Sequence, residues 1–304
     1  MRIPLLALLA CPGLAIAALP QLSTDTLATD EKLLFLSLGT SRADVDLLMR
    51  SGSATAPADA ESDSTGQTAG WAYGITDTVE LGLQFGRLSR SDDLVIHGAN
   101  TVTLESETTG WSDLGWYAGW RFFDGPRTAV AVQASFVSPT ASDSPAVPET
   151  RVNGTLMPPT AREGNPGNSD SQFMLRANAS HSMDGNAVDG FIEWHAEDNT
   201  LSEDDYSLGA RFVHFRDERR RTWIGANSIL IGEGHAATEE TESHVNWRLF
   251  AGAAWNPKGD IELSTQLSHT WEGDYAVRHP SGNGYDARDG TLLAFSAGIT
   301  VLMP

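Results

Sequence analysis

Chemistry in this 304-residue chain would have to come from twenty Lys and Arg, forty Asp and Glu, eight His and a single Cys. No HExxH, CxxC or GxSxG run occurs, so the zinc-hydrolase, dithiol and serine-hydrolase signatures are missing. His195 and Glu193 make one neat ligand-type pair on a strand face. A metal centre would need further ligands from other strands, so no metal or cofactor is expected, and the pair reads as hydrated. His181, His214 and His269 fall on or near apolar rows. There an outward Ser–His pair could hydrolyse lipid, but hairpin register sets His214 against Thr222 or Trp223, neither of them a serine. The charges that recur at alternate positions carry more information. Arg121, Arg176, Arg211 and Arg248, with Glu80, Asp113, Asp189, Glu193 and Glu262, alternate with apolar residues. Tyr117 and Phe250 share that polar phase, as do Trp111 and Phe191. Such a row can stiffen a wall through Arg–carboxylate networks, or it can select solutes by charge. Arg176, Arg211 and Arg248 are expected to form a positive element partly balanced by Glu80, Glu193 and Glu262.

These side chains need strands to position them. From Thr108 to Thr140 the period is two on both sides of Phe123-Asp124-Gly125-Pro126-Arg127. Leu114, Trp116, Ala118, Trp120 and Phe122 share one face; Asp113, Gly115, Tyr117, Gly119 and Arg121 share the other. The second arm places Val130, Val132, Ala134 and Phe136 together. An apolar, Trp-rich face opposite a small or polar one, over about ten residues, suits a closed barrel in lipid. Arg facing lipid at mid-depth would cost roughly 2–4 kcal/mol, which sets the phase of each strand.

The pattern repeats along the chain. Apolar rows include Leu34, Leu36 and Leu38; Ala69, Trp71, Tyr73 and Ile75; and Val79, Leu81, Leu83 and Phe85. Further rows begin at Phe173, Val188, Tyr206, Ile224, Val245, Ile261 and Leu293. The reading is all-β: an antiparallel transmembrane β-barrel of about twelve strands with short periplasmic turns and long extracellular loops. Connections near 76, 124, 184, 218 (the charged turn Asp217 to Arg221) and 258 are tight. Loops are expected over 43–65, 90–107, 139–168, 233–242 and 273–288, and the prolines of 139–168 argue against ladder strands there. Seven of the nine tryptophans follow the apolar phase, with Trp111 and Trp223 outside it.

Residues 1–17 read as a signal peptide: Arg2, an apolar run, then Ala15-Ile16-Ala17. Leu8-Leu9-Ala10-Cys11 also resembles a lipoprotein box. Residues 18–304 then form one barrel domain, free of cysteine if cut after Ala17, and residues 18–31 form a polar periplasmic lead-in. The formal net charge of −20 and the lack of basic patches argue against nucleic acid. No later apolar run is long enough for a membrane helix.

Two pieces carry a family resemblance: Ala72-Tyr73-Gly74-Ile75-Thr76-Asp77-Thr78-Val79-Glu80-Leu81-Gly82-Leu83, and Gly110-Trp111-Ser112-Asp113-Leu114-Gly115-Trp116-Tyr117-Ala118-Gly119-Trp120-Arg121-Phe122. They resemble the outer-membrane proteins of the phenol meta-cleavage pathway family, over about residues 70 to 140. The chain departs from barrel habit in ending Val301-Leu302-Met303-Pro304, without an aromatic residue. The resemblance implies a non-enzymatic barrel of a Gram-negative outer membrane that passes small hydrophobic or aromatic compounds. It also implies outer-membrane lipid, lipopolysaccharide and the barrel assembly machinery as partners. The alternatives are a structural or adhesive barrel working through acidic external loops, and a lipid hydrolase.

Overall fold

The computed structural model describes residues 24–138, 140, 144–146, 149–157, 162–164, 171–197, 204–236 and 239–303. The expected signal peptide lies outside them. Twelve antiparallel strands form the wall. These are β1 (Lys32–Ser51), β2 (Ala54–Thr76), β3 (Val79–Ile96), β4 (Val102–Trp111, resuming as Leu114–Asp124), β5 (Thr128–Ser138) and β6 (Gln172–Met183). The circuit continues with β7 (Asn186–Glu197), β8 (Asp205–Asp217), β9 (Arg220–Ile231), β10 (His244–Trp255), β11 (Ile261–Trp271) and β12 (Asn283–Met303). β1 pairs with β12 from Lys32↔Met303 to Ser51↔Asn283, and this closes the barrel. Closure matters because lipid offers no hydrogen bonds: a sheet can span a bilayer only when every strand has two partners.

Alternation divides the wall into two chemistries. Leu208 and Ile224 point outward, each 63% exposed, within a belt that includes Leu34, Trp116, Trp247 and Leu267. Ser37, Thr68, Asn178, Ser207 and Asn227 point inward and are buried. A water-exposed apolar belt of this size would be unstable, whereas against acyl chains it is the favourable surface.

The expected loop over 43–65 is instead a continuous hairpin. β1 and β2 run on to a tight turn at Gly52-Ser53, where Gly52 takes the left-handed φ of 59°. The cause is an inversion of polarity at the membrane boundary. Above it Arg42 and Asp44 point outward and Arg42 pairs with Glu61 at 2.7 Å, while Ala43, Val45, Leu47 and Met49 turn inward and are buried. Outside lipid, water becomes the outer solvent and the apolar row moves to the inner face. The same inversion extends β3 to Ile96 and starts β4 at Val102, so the expected loop 90–107 shrinks to a short connection. Tyr275–Arg278 is a further strand within the expected loop 273–288, paired with the start of β12.

Two more short strands, Gly234–Ala236 and Glu239–Thr241, lie in the acidic loop. In the proline-rich segment, Glu149–Val152 pairs with Val102–Glu105, and Ser144–Ala146, with Pro145 at its centre, pairs with Arg162–Gly164. Proline is tolerated there because these are edge pairings at the rim and not part of the closed ladder.

Trp111 also departs from expectation. It is exposed and meets Phe85 on the outer face at 6.3 Å between ring centres. The break at Ser112-Asp113 shifts the phase of β4 by one residue, so its two segments cannot be read with one parity.

Candidate functional site: the barrel interior

Cross-strand register brings the inward charges together. Asp189 on β7 stands opposite Arg211 on β8, whose Nε donates to its Oδ2 at 2.6 Å; Asp189 is almost wholly buried. Arg176 on β6 stands opposite Glu193 on β7, with 3.6 Å between them. The Arg176 guanidinium also donates to Asn178 at 2.9 Å and lies 3.9 Å from the centre of the Phe191 ring. Glu262 on β11 accepts both Arg221 Nη1 and Nη2, at 2.6 and 2.7 Å. This fork-to-carboxylate geometry is the strong form of the interaction.

Arg221 falls in the expected charged turn Asp217 to Arg221, but the structure places it elsewhere. It belongs to β9, on the inward row of Trp223 and Asn227. That shared parity was the signal available in the sequence. Arg90 and Asp92, paired at 2.7 Å on the inward face of β3, were hidden in the expected loop. Glu262 and Glu193 therefore balance specific arginines. Asp189, not placed among the balancing acids, is the partner of Arg211.

The remaining expected positions separate. Arg121 sits at the periplasmic end, donating to the Asp77 carbonyl at 3.0 Å and lying 3.6 Å from Asp124. Asp113 occupies the break in β4, and its Oδ1 accepts the Thr140 amide at 2.8 Å, so it anchors a connection and leaves the interior row. Glu80 accepts the Leu27 amide at 3.0 Å. His195 Nδ1 lies 3.7 Å from Asp205. Among the described residues no cluster of His, Cys, Asp and Glu could hold a metal. On the outer face His214 bonds Asn186 and stands opposite Thr222, while His181 bonds Thr128.

The Leu27–Glu80 contact belongs to a larger arrangement. The chain before β1, expected as a periplasmic lead-in, crosses the periplasmic end of the interior. Thr24, fully buried, donates to Ser180 on β6 at 2.9 Å. Leu27 packs with Leu33, Phe35 and Ala72, and Thr29 bonds Asp77 in the β2–β3 turn. Contacts on both sides of the barrel hold the segment across its mouth.

Interior aromatics lie against the wall. Phe35, Tyr117, Phe191, Trp223 and Phe250 stand directly across the ladder from Gly70, Gly82, Gly209, Gly252 and Gly225. A Cβ on any of those glycines would fall 2.2–2.5 Å from the facing ring. The missing side chain is what lets each ring lie flat on the strand beside it. At the outer end the inward face becomes apolar: Val45, Leu47, Met49, Leu94, Tyr275 and Tyr285 pack together. Asp286 lies beside this cluster, gripped by Arg50 and Arg278; their hydrogen bonds hold its carboxyl below the usual carboxylate range.

A closed antiparallel wall with an apolar outer belt, a charged interior and a capped periplasmic mouth defines an outer-membrane β-barrel. No protein-family model and no curated protein matches the chain. Solved structures do. The COG4313 outer membrane channel from Pseudomonas putida F1 is similar with a TM-score of 0.56 at 14% identity, over 92% of this chain and 98% of that one. The transport unit of the autotransporter AIDA-I from Escherichia coli gives 0.56 at 10% identity, over 88% and 89%. A FadL homologue from Pseudomonas aeruginosa gives 0.52 at 9% identity, over 90% of each chain. At these identities the likeness is one of fold.

Proposed function

We propose that this protein is an outer-membrane channel that passes small hydrophobic or aromatic molecules by passive diffusion, and that it is not an enzyme. The observation that carries this reading is the set of aromatic rings laid flat over glycines on the inner wall. Tyr117, Phe191 and Phe250 keep part of their rings accessible there, while Phe35 and Trp223 are buried in the packing. The apolar cluster of Val45, Leu47, Met49 and Leu94 at the outer rim is buried, so an apolar solute entering from water would have to part it and would meet apolar side chains as it did. The resemblance of residues 70 to 140 to the phenol meta-cleavage pathway barrels points to the same solute class, and the similar Pseudomonas putida structure is described as a channel.

In this reading the segment around Thr24 and Leu27 is the periplasmic gate. Solute leaving the barrel displaces it from Ser180 and Glu80. The test is uptake of phenol and of glucose by vesicles reconstituted with the full chain, and with a chain lacking residues up to 30. Phenol uptake above that of protein-free vesicles, increased by the truncation, is the expected result. Uptake by neither form would overturn the channel reading.

A further inference from the structure

The interior arginines are not equivalent. Arg90, Arg176, Arg211 and Arg221 each face a carboxylate. Arg248 on β10 does not: its hydrogen bond is from Nη2 to Ser268 Oγ, 3.2 Å away, and among the described residues no carboxylate pairs with it. A guanidinium carries five N–H donors in a planar fork suited to a carboxylate, and one left without a counter-charge in a shielded place is poorly satisfied.

Its neighbours are polar but uncharged. Asn227 stands directly across the ladder on one side and Thr270 on the other. Both are buried; the Asn227 amide donates to Ser207 at 3.2 Å, and Ser268, which accepts from Arg248, stands opposite Phe250, one inward position toward the periplasm. Glu272, the next inward carboxyl along β11's side beyond Thr270, makes no ion pair with Arg248. One inward position toward the periplasm, the Phe250 ring lies over Gly225, with its centre 6.0 Å from the Arg248 guanidinium carbon. Cation, neutral polar groups and a flat ring thus lie in sequence along one strip of wall.

We propose that Arg248 anchors an anion-binding subsite in the barrel interior, and that it takes small aromatic monocarboxylates. The carboxylate meets the free edge of the guanidinium, and the ring of the solute stacks beside Phe250. This rests on the channel reading and narrows its solute class. It follows from the pairing pattern: fixed acids neutralise four interior arginines, and the fifth is left for a mobile one.

The experiment is calorimetric titration of the full chain in detergent with sodium benzoate, its neutral isostere benzamide, and sodium acetate, in low-chloride buffer. Benzoate is expected to bind at least tenfold tighter than either control. Arg248→Gln should reduce the benzoate preference to within about twofold, Arg248→Lys should keep part of it because the charge remains, and Arg219→Gln, on an exposed periplasmic turn, should leave it unchanged. Equal binding of benzoate and benzamide by the parent would overturn the proposal. So would a full preference surviving in a natively migrating Arg248→Gln, and acetate binding as tightly as benzoate would overturn the aromatic class. If Arg248→Gln does not fold, the parent ratios and Arg248→Lys decide: a lysine variant with the parent's full preference counts against the forked contact. Failure of the channel reading shows separately, as absence of phenol uptake by vesicles, because the titration needs no transport.

Discussion

The phenol ring of Tyr117 lies over Gly82, its partner directly across the β3–β4 ladder, so closely that a Cβ on Gly82 would sit 2.2 Å from the ring. The three atoms nearest that Cβ all belong to Tyr117. Gly82→Ala should therefore act through this one ring, displacing Tyr117 from the wall and from the packing around Leu27. The expected destabilisation is about 1–3 kcal/mol. Gly190→Ala, whose Cβ meets nothing closer than a carbonyl at 3.8 Å, should be nearly neutral. In a double-mutant cycle, adding Gly82→Ala to Tyr117→Ala should cost little more than Tyr117→Ala alone. Urea midpoints of the four proteins in detergent read this coupling, and simple additivity would argue against the contact.

Arg211 and Asp189 set a second expectation. Because Asp189 is almost wholly buried, Arg211→Gln leaves a carboxylate without its principal cation, a change that typically costs about 3–5 kcal/mol for buried pairs. Arg211→Gln should thus be markedly less stable than Arg248→Gln, and Asp189→Asn should restore much of the loss. The fraction of heat-modifiable protein after refolding is the measurement. Equal yields for the two arginine variants would mean that lumen water, not Asp189, satisfies Arg211.

Leu267 and Gln266 are neighbours on β11 that point to opposite faces. Leu267 is half exposed within the lipid belt, whereas Gln266 accepts the Trp223 indole N–H at 3.2 Å inside. Leu267→Arg should lose roughly 2–4 kcal/mol of assembly free energy near mid-depth. Gln266→Arg should lose about 1 kcal/mol, the value of one hydrogen bond. Folding yield into vesicles of increasing acyl length compares them, and a larger penalty at Gln266 would reverse the phase of this strand.

Stability should fall as pH rises from about 4.5 to about 7. Burial pushes the Glu272 carboxyl, just beyond the outer end of β11, up to about 7 from an ordinary value near 4.5. Within that window the folded barrel binds more protons than the unfolded chain, so each step up in pH favours unfolding, by at most about 1.4 kcal/mol per unit. Glu272→Gln should flatten the slope. Urea midpoints at pH 5 and pH 8 for parent and variant provide the check, with a parent more stable at pH 8 as the contrary outcome for this group.

How much of this was legible from residues alone depends on which solvent each segment meets. Leu34, Leu208, Ile224 and Trp247 could be phased because lipid requires a continuous apolar row, and period two then sets every inward neighbour within the same strand. Closure into twelve strands follows from the same rule together with short turns at one end. Above the bilayer that rule reverses. Val45 and Leu47 turn inward there while Arg42 and Asp44 turn out, so a true hairpin looked like a polar loop, and Arg90 with Asp92 was lost with it.

The parity of Arg176, Arg211 and Arg248 was readable as well, because charge does not face lipid. What tertiary structure alone decided was which arginine keeps a carboxylate. That depends on register between strands: Asp189 lands opposite Arg211, Glu193 opposite Arg176, and Glu262 reaches Arg221 past an intervening strand, while Asn227 and Thr270 flank Arg248. Facing direction is a property of one strand and its solvent. Partnership is a property of the closed ladder, since a shift of one residue in register would replace each partner with its neighbour on the opposite face.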